Sequence, residues 1–485
     1  MHEHQVIILG AGASGICMGI RLLQAGIDDF LILEQSPAPG GTWHDNAYPG
    51  ACCDIASHLY SFSFEPRADW SRVYAPQPEI RSYLQHCVDK YGLSAHIQYN
   101  RRVQRAAFDE AAGRWIVGLA DGEELACRCL VSAVGQLNQP RIPAFAGAET
   151  FAGASFHAAR WDHSFSLEGK RVAVVGNAAS AIQFIPRVAA EASRVYVYQR
   201  SANYIVPRED RAYSAAERER FQRSPRRLKL SRLYWFLRQE LFLFGAMFDG
   251  SLRQQLVRRA ARLHLEAQVR DPALRRALTP DYPLGCKRIL VSDDYYPSLN
   301  RDNVELVTSA ILGMNTDGLL TEDGVSRPVD VVIYGTGFHA TDILSTLDVR
   351  GRGQRLLADV WADGAWAHRG VGVPGFPNLF MLYGPNTNLG HNSIIYMIES
   401  QAAYILQCID KLLVHNLRTL EPNADKAAQQ DAALQDALAR TVWGGQCGSW
   451  YKTASGRITN NWPYSALRYR WRMRRPEFSE YDMEA

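Results

Sequence analysis

The residues with the clearest chemical meaning lie near the start of the chain, in the motif Gly10-Ala-Gly12-Ala-Ser-Gly15. An apolar stretch precedes this motif and a helical pattern follows it, which is the context of a dinucleotide-binding turn. Glycines there let the backbone approach a pyrophosphate, and the N–H groups at the helix N terminus bind the anion. Glu34 follows 24 residues after Gly10, where a carboxylate can accept both hydroxyls of a ribose. We therefore expect a dinucleotide site here.

A second and weaker copy of the motif is Gly176-Asn177-Ala178-Ala-Ser180-Ala181, in which Ala178 replaces the middle glycine. Arg200 follows Gly176 by the same 24 residues that separate Glu34 from Gly10, and Gln199 precedes it. A guanidinium matches a 2′-phosphate and gains little from a bare ribose. The comparison predicts FAD at the first motif and NADPH at the second, where the candidate binding residues are Gly176, Asn177, Ser180, Gln199 and Arg200.

Each motif needs a strand before it and a helix after it, and the sequence pattern supplies both. Residues 6–9, 16–25 and 30–33 have the patterns of a buried strand, a helix and a second strand. The same order recurs at 171–175, 179–189 and 195–198, and a further strand is predicted at 331–334. We predict an α/β fold with two Rossmann-like dinucleotide-binding domains. The predicted boundaries are 1–140 and 341–485 for a discontinuous FAD-binding domain, and 150–211 and 281–340 for an NADPH-binding domain.

Residues 212–280 differ from both units and are predicted to form a helical insertion in the second domain. They are helical in pattern and rich in arginine, with apolar clusters such as Leu233-Tyr-Trp-Phe-Leu237. The simpler interpretation is that these helices pack over the active-site cleft. The same composition also suits a basic amphipathic surface that binds lipid or a partner protein.

The bulk composition narrows the class of protein. A chain of 485 residues is too long for one ordinary core, and its 47% hydrophobic and 21% charged residues are typical of globular proteins. A net charge of +3 gives no reason to expect nucleic acid. No apolar run reaches the roughly 18 residues of a membrane span, and since the first residues run directly into a predicted strand, we expect no signal peptide. Nine cysteines, in spacings that match neither a zinc site nor a disulfide framework, lead us to expect no metal and a reduced, cytoplasmic protein.

Three further stretches of the sequence contain motifs. The first is Gly40-Gly41-Thr42-Trp43 with Tyr48-Pro-Gly-Ala-Cys-Cys-Asp54 and Tyr60; the second is Phe151-x-Gly153-x-x-x-His157-x-x-x-Trp161-Asp162; the third is Lys287-Arg288 ahead of Tyr295-Tyr296. Together they resemble the type I Baeyer–Villiger monooxygenases of the class B flavoprotein monooxygenase family. The second stretch is similar to that family's fingerprint, whereas related heteroatom-oxidising enzymes usually end theirs in Tyr or Phe. The resemblance covers residues 5–470 and is weakest across 212–280.

The resemblance implies roles for individual residues. It places Ser14, Glu34, Thr42, Trp43, Asp54 and Tyr60 in contact with FAD, with Gly41, His44, Asp45 and Gln136 around the flavin. It places Arg200 and Lys287 at the 2′-phosphate, matches Arg288 to the active-site arginine, and matches Trp450 to a tryptophan on a mobile loop over the nicotinamide. His157 resembles a residue of the interdomain hinge.

The implied reaction inserts one oxygen atom of O2 next to a ketone carbonyl and gives an ester or lactone. NADPH reduces FAD, and reduced FAD reacts with O2 to form a C4a-peroxyflavin. Arg288 is expected to keep that peroxide anionic because a guanidinium does not lose its proton at working pH. Asp54 is expected to orient Arg288, and NADP⁺ to stay bound beside the peroxide. The expected partners are O2 and a small-molecule ketone, and the expected state is a monomer or homodimer.

Three alternatives stay open at this stage. The chain could be a flavin monooxygenase that oxidises nitrogen or sulfur, although Trp161 and Arg288 argue against it. It could be a flavin-dependent NADPH oxidase, electron carrier or disulfide reductase, but no Cys-x-x-Cys lies beside the predicted flavin. It could also be a non-catalytic nucleotide-binding protein. The chain departs from the family at Ala178, at Val134 and in the stretch 384–393. The last of these lies near the predicted flavin and substrate pocket, so it concerns the substrate class more than the chemistry.

Overall fold

The computed structural model describes residues 3–445 and 451–485, so Trp450 lies outside the described residues. The strands are β1 (Glu3–Leu9), β2 (Phe30–Leu33), β3 (Ile97–Gln98), β4 (Val103–Asp109), β5 (Arg114–Leu119), β6 (Glu124–Ser132), β7 (Ala154–His157), β8 (Arg171–Val175), β9 (Arg194–Tyr198), β10 (Ile205–Val206), β11 (Leu290–Val291), β12 (Val304–Val307), β13 (Ile311–Met314), β14 (Gly318–Thr321), β15 (Ser326–Pro328), β16 (Val331–Tyr334), β17 (Asp348–Arg350), β18 (Leu379–Met381), β19 (Thr419–Pro422) and β20 (Tyr481–Glu484). The α-helices are α1 (Ala13–Gln24), α2 (Thr42–Asp45), α3 (Gln77–Lys90), α4 (Ala181–Glu191), α5 (Ala215–Arg223), α6 (Pro225–Arg238), α7 (Leu252–Gln268), α8 (Pro272–Ala277), α9 (Tyr295–Leu299), α10 (Leu357–Val360), α11 (Ile394–Val414), α12 (Ala424–Ala439) and α13 (Ala466–Arg472).

The first sheet has eight strands in the order β17-β4-β5-β6-β1-β2-β3, with β18 also paired to β6. Its central strand, β1, pairs in parallel with both β2 and β6. Val6, Ile7 and Ile8 are fully buried, because a central parallel strand is covered on both faces and needs a continuous apolar run. β17 and β18 bring the segment after residue 341 into this sheet, where they pair in parallel with β4 and β6.

The second sheet has five strands in the order β12-β9-β8-β16-β7, and all of its pairings are parallel. Its core includes Val172 and Val174 of β8, Ile333 of β16 and Phe184 of α4. The predicted α/β fold class with two Rossmann-like units is confirmed. The antiparallel strands β13, β14 and β15 form a separate three-stranded sheet.

The two glycine turns have the same backbone geometry. Gly10 and Gly176 have φ angles of +102° and +104°, a region that side chains rarely tolerate. A Cβ atom on Gly10 would lie 2.9 Å from the carbonyl oxygen of Ala133, and one on Gly176 would lie 2.5 Å from that of Gly335. Only glycine therefore fits the first position of either motif. Ala178, the departure in the second copy, is exposed.

The predicted helical insertion is present. Helices α5 to α8 lie between β10 and β11, and a π-helical segment, Gln239–Leu243, follows α6 directly. Among the described residues, no helix has both the length and the apolar character needed to cross a membrane. Seven of the cysteines in the described residues are free thiols.

Candidate active site

A cavity of about 330 Å³ opens at the carboxyl ends of β1, β2 and β6. Open α/β sheets bind their ligands at this edge, where the loops after the strands converge. Twelve of the residues singled out in the sequence line it: Gly10, Gly12, Ser14, Glu34, Gly41, Thr42, Trp43, Asp45, Asp54, Tyr60, Gln136 and Arg288. Gly15 and His44 are not part of this lining.

Glu34 lies at one end of the cavity and is held by the backbone on both sides. The residue is 5% exposed. Its Oε2 accepts a hydrogen bond from the Ala11 N–H at 2.7 Å, and its Oε1 accepts one from the Ser36 N–H at 2.8 Å. Because a carboxylate has about four acceptor directions, each oxygen retains a lone pair for a further donor. The geometry suits the two hydroxyls of a ribose.

The middle of the cavity has the features of a pyrophosphate site. Helix α1 begins after Gly12, and no side chain caps its first N–H groups. These groups and the helix dipole attract an anion. A Cβ atom on Gly41 would lie only 3.0 Å from the Cα of Gly12. The two glycines therefore allow the two backbone segments to approach each other and a ligand.

Trp43 and Tyr60 form a fixed aromatic pair in the lining. The Trp43 Nε1–H donates to the Tyr60 hydroxyl at 3.1 Å, and the rings meet edge to face with centroids 5.6 Å apart. The Gln77 side-chain amide donates to the Trp43 carbonyl. These contacts fix the orientation of both rings against whatever occupies the cavity.

Arg288 and Asp54 form an ion pair that projects into the same cavity. Their side chains are 41% and 27% exposed, so the pair is accessible from the cavity. The Asp54 carboxylate raises the pKa of the Arg288 guanidinium. Arg288 is consequently a permanent cation, and its N–H groups that do not contact Asp54 remain available to a ligand.

Gln183 of α4 joins the two units at this cavity, and it was not among the residues predicted from the sequence. Its Oε1 accepts hydrogen bonds from the Tyr48 hydroxyl at 2.9 Å and from the Cys52 N–H at 3.3 Å, and its Nε2 donates to the Cys52 carbonyl at 3.1 Å. One side chain of the second unit thus holds the loop that ends in Asp54. Its place seven residues after Gly176, on the helix that opens at the motif, is the available sequence signal.

Gln136, a predicted site residue, is hydrogen-bonded to a second set of residues that were not predicted. Its Nε2 donates to the carbonyls of Tyr383 and Gly384 at 3.0 and 3.2 Å. Its Oε1 accepts from Asn460 at 3.1 Å. Tyr383 and Asn388, which also line the cavity, are hydrogen-bonded at 2.8 Å. The stretch 384–393, noted as a departure from the family pattern, therefore forms part of this wall.

Two cations meet beside the second glycine turn. The Lys287 ammonium donates to the Ser201 hydroxyl at 2.7 Å and lies 4.4 Å from the centroid of the Tyr282 ring. Burial and the positive charge of Arg200 lower the pKa of Lys287. Arg200 itself is exposed just after β9. An anion bound beside both side chains would offset the effect of Arg200 on the Lys287 ammonium.

Asn177 and Gln199 of the second motif are bonded to each other. The Asn177 amide donates to the Gln199 Oε1 at 2.7 Å and to the Ser201 carbonyl at 3.0 Å, and Gln199 donates to the Ala277 carbonyl at 2.8 Å. Both side chains are almost fully buried. They fix the loop that presents Arg200. Ser180 precedes the first residue of α4 and makes no capping hydrogen bond with its side chain.

The fingerprint stretch lies at the junction of the two sheets. His157 ends β7, is 3% exposed, and accepts the Ala159 N–H at its Nδ1 at 3.1 Å. Burial lowers the pKa of this imidazole. The Trp161 ring packs edge to face on Phe184 of α4. Arg160 forms an ion pair at 3.4 Å with Asp45, which lines the cavity.

Two cysteines that are adjacent in the chain, Cys52 and Cys53, line the cavity. Both are free, and burial raises the pKa of each thiol. A reactive cysteine needs a lowered pKa, so these two do not resemble a dithiol centre. Over residues 3–445 and 451–485, no cluster of His, Cys, Asp or Glu side chains could hold a metal ion.

Comparison with known proteins agrees with this geometry. Residues 7–231 match the family model described as pyridine nucleotide-disulphide oxidoreductase. A protein of Pseudomonas aeruginosa named Baeyer-Villiger monooxygenase is 44% identical over 481 residues, which are 99% of this chain and 91% of that protein. An oxidized steroid monooxygenase structure bound to NADP superposes with a TM-score of 0.88 at 31% identity, over 99% of both chains. A complex of OTEMO with FAD and NADP superposes with a TM-score of 0.90 at 27% identity, again over 99% of both chains. Because the likeness to the Pseudomonas aeruginosa protein covers nearly the whole of both proteins, the chain belongs to the Baeyer–Villiger monooxygenase family.

Proposed function

We propose that this chain binds FAD and NADPH and converts a ketone to an ester or lactone with O2. The observation that supports this best is the Arg288–Asp54 pair, which projects into the cavity that contains Glu34 and the glycine turn of α1. A cation fixed at one end of a dinucleotide cavity can stabilise negative charge that develops on oxygen.

The residues of the cavity fit FAD. Glu34 is positioned for the ribose hydroxyls of the adenosine, the uncapped start of α1 for the pyrophosphate, and Trp43 and Tyr60 for the isoalloxazine end. FAD bound there supplies the redox chemistry that activates O2. We assign FAD contacts to Gly10, Gly12, Ser14, Gly15, Glu34, Gly41, Thr42, Trp43, His44, Asp45, Asp54, Tyr60 and Gln136, and the FAD-binding domain to residues 1–140 and 341–485.

NADPH is assigned to the second unit, residues 150–211 and 281–340. Arg200 is close enough to Lys287 for its charge to lower the pKa of Lys287. Two neighbouring cations favour a cofactor with a 2′-phosphate over one without. Lys287 and Arg288 are consecutive in the chain, yet the first contacts Ser201 and the second Asp54. The dipeptide thus connects the phosphate end of NADPH to the reaction centre. The remaining assigned contacts are Gly176, Asn177, Ser180, Gln199 and Trp450.

In the reaction, the N–H groups of Arg288 that do not contact Asp54 would orient the ketone through hydrogen bonds to its oxygen. The positive charge of Arg288 would stabilise negative charge that develops on oxygen, and the guanidinium would not donate its proton, because it stays protonated at working pH. Asp54 holds the guanidinium plane in place. Gln183 fixes the Asp54 loop to α4 and so connects the proposed flavin side to the proposed nicotinamide side.

The test is a purified protein assayed with NADPH against cyclic, linear and aryl ketones, with products identified by mass spectrometry. We expect a yellow protein and ester or lactone products. Oxidation of sulfides alone would favour the heteroatom-oxidising alternative. Normal flavin reduction without any oxygenated product would refute the monooxygenase proposal.

A further inference from the structure

The outward side of α6 is apolar where a surface helix is normally polar. Leu230, Leu233, Tyr234 and Leu237 recur at helical spacing and are between 37% and 64% exposed, and Leu241, one turn further on, is 60% exposed. We call these five side chains the leucine face. Ten of the eighteen exposed large hydrophobic side chains of the described residues lie within 212–280, about one seventh of the sequence. Such concentration marks an interaction surface.

The charge around the leucine face is strongly positive. Residues 212–280 contain fifteen Lys and Arg and six Asp and Glu, a formal net charge of +9, whereas the whole chain has +3. Arg226, Arg227 and Lys229 are exposed on α6. None of the three forms an ion pair within the described part of the chain. The surface thus combines solvent-facing leucines with uncompensated cations.

Helix α13 adds the same two features next to this segment. Its Leu467 N–H donates to Glu240 of the π-helical segment at 3.2 Å, so α13 begins beside the end of the leucine face. Leu467 and Trp471, one helical turn apart, are 51% and 75% exposed. Trp471 borders a surface cavity of about 840 Å³ that Arg468, Arg472 and Arg474 also line.

We propose that the leucine face and α13 together dock on a membrane surface that contains anionic phospholipids. Leucine and tryptophan side chains enter the boundary between headgroups and acyl chains, and the arginines bind headgroup phosphates. Interfacial helices bind in this way, with an affinity that rises with buried apolar area and with attraction to anionic lipid. The protein would lie on the membrane without crossing it.

The charge distribution argues against a second copy of the chain as the occupant. A symmetric dimer brings the same patch of both subunits together. Through the leucine face it would oppose two segments of +9 each, which repel in the absence of a counter-charge. An anionic bilayer supplies that counter-charge and an apolar phase in one partner.

Cosedimentation of the full-length, FAD-loaded protein with vesicles tests the proposal. One set of vesicles is phosphatidylcholine alone, and the other contains about one third phosphatidylglycerol. We expect binding to the second set only, and weaker binding as salt shortens the Debye length. Equal binding to both sets, or binding to neither, would overturn the proposal. Displacement from the vesicles by inorganic phosphate at the concentration of the lipid phosphate would also overturn it, and would assign the arginines to free phosphate.

Matched variants locate the surface. Leu230→Glu/Leu233→Glu should weaken vesicle binding by at least about tenfold, because it removes apolar area and opposes anionic lipid. Ile142→Glu/Leu312→Glu changes the net charge equally at side chains that are 55% and 54% exposed elsewhere, and it should retain binding. Equal losses of vesicle binding in both variants would show that the effect comes from net charge alone, and would refute the docking surface. Sedimentation velocity tests the alternative occupant. If the wild type forms a concentration-dependent dimer that the first variant does not form, and does not bind vesicles, the partner of this surface is a second copy of the chain and not a bilayer. NADPH oxidation in buffer and circular dichroism, unchanged in both variants, verify the fold.

Discussion

Arg288→Ala should abolish most oxygenation while it leaves the fold and FAD binding intact. The guanidinium is the cation of the Arg288–Asp54 pair in the cavity, and Asp54 raises its pKa. Removing one preorganised electrostatic group typically costs about 10²–10³ in rate, or about 2.7–4 kcal/mol. The cost to stability is smaller. The side chains are 41% and 27% exposed, and an ion pair so accessible to water contributes at most about 1 kcal/mol. The effect on the barrier therefore dominates.

The assay follows NADPH consumption by absorbance and the ester by gas chromatography in the same reaction. Arg288→Ala should continue to consume NADPH while ester formation falls, so the ratio of ester to NADPH drops. Arg288→Lys should recover little, because an ammonium lacks the planar fork that can contact Asp54 and a ligand together. Arg171→Ala is the control, since Arg171 forms a similar pair with Asp330 outside the cavity. Ester yield at the wild-type level from Arg288→Ala would refute the role given to the guanidinium.

Four further predictions concern cofactor binding and coupling. Glu34→Ala should lose FAD, since charged hydrogen bonds are worth about 1.5–3 kcal/mol each; full flavin absorbance per protein would contradict the assignment. Arg200→Ala/Lys287→Ala should raise the KM for NADPH and leave that for NADH nearly unchanged, and equal use of both cofactors by the wild type would contradict it. Burial and Arg200 lower the pKa of Lys287. As pH rises, this side chain therefore loses its charge at a lower pH than a free lysine, whose pKa is about 10.4. The KM for NADPH should accordingly rise at alkaline pH. If the KM of Lys287→Arg rises over the same pH range, another group is responsible for the rise. Gln183→Ala should release the Asp54 loop and lower the ratio of ester to NADPH at unchanged FAD content; an unchanged ratio would limit Gln183 to packing.

The sequence predicted the two dinucleotide units well because their signals are local. The strands at 30–33, 171–175 and 331–334 have the predicted bounds. The helices begin within a few residues of the predicted positions, at Ala13 and Ala181. A glycine turn between a strand and a helix depends on backbone geometry over a few residues, and the φ angles of Gly10 and Gly176 follow from it.

Contacts between distant segments were not predictable in this way. Gln183 and Cys52 are 131 residues apart, and Gln136 and Asn460 are 324 apart. No periodicity or spacing connects such residues, because they meet only when the two sheets and the C-terminal segment have packed. The pairing of Arg288 with Asp54 was expected from the family resemblance, and not from any pattern in the chain between them.

By itself, then, the sequence determined how the two units differ: a carboxylate, Glu34, stands 24 residues after the first glycine in one copy, and a cation, Arg200, stands at the same distance in the other. The tertiary structure decided what surrounds those residues. Asn177 and Gln199 proved to be bonded to each other, while Lys287 and Arg288, consecutive in the chain, contact Ser201 and Asp54, respectively. It also decided which side of the apolar insertion is covered: Phe236 is buried and Leu233 is exposed, although both are hydrophobic residues of α6. Local patterns set the backbone path, whereas burial depends on what the rest of the chain packs against each face.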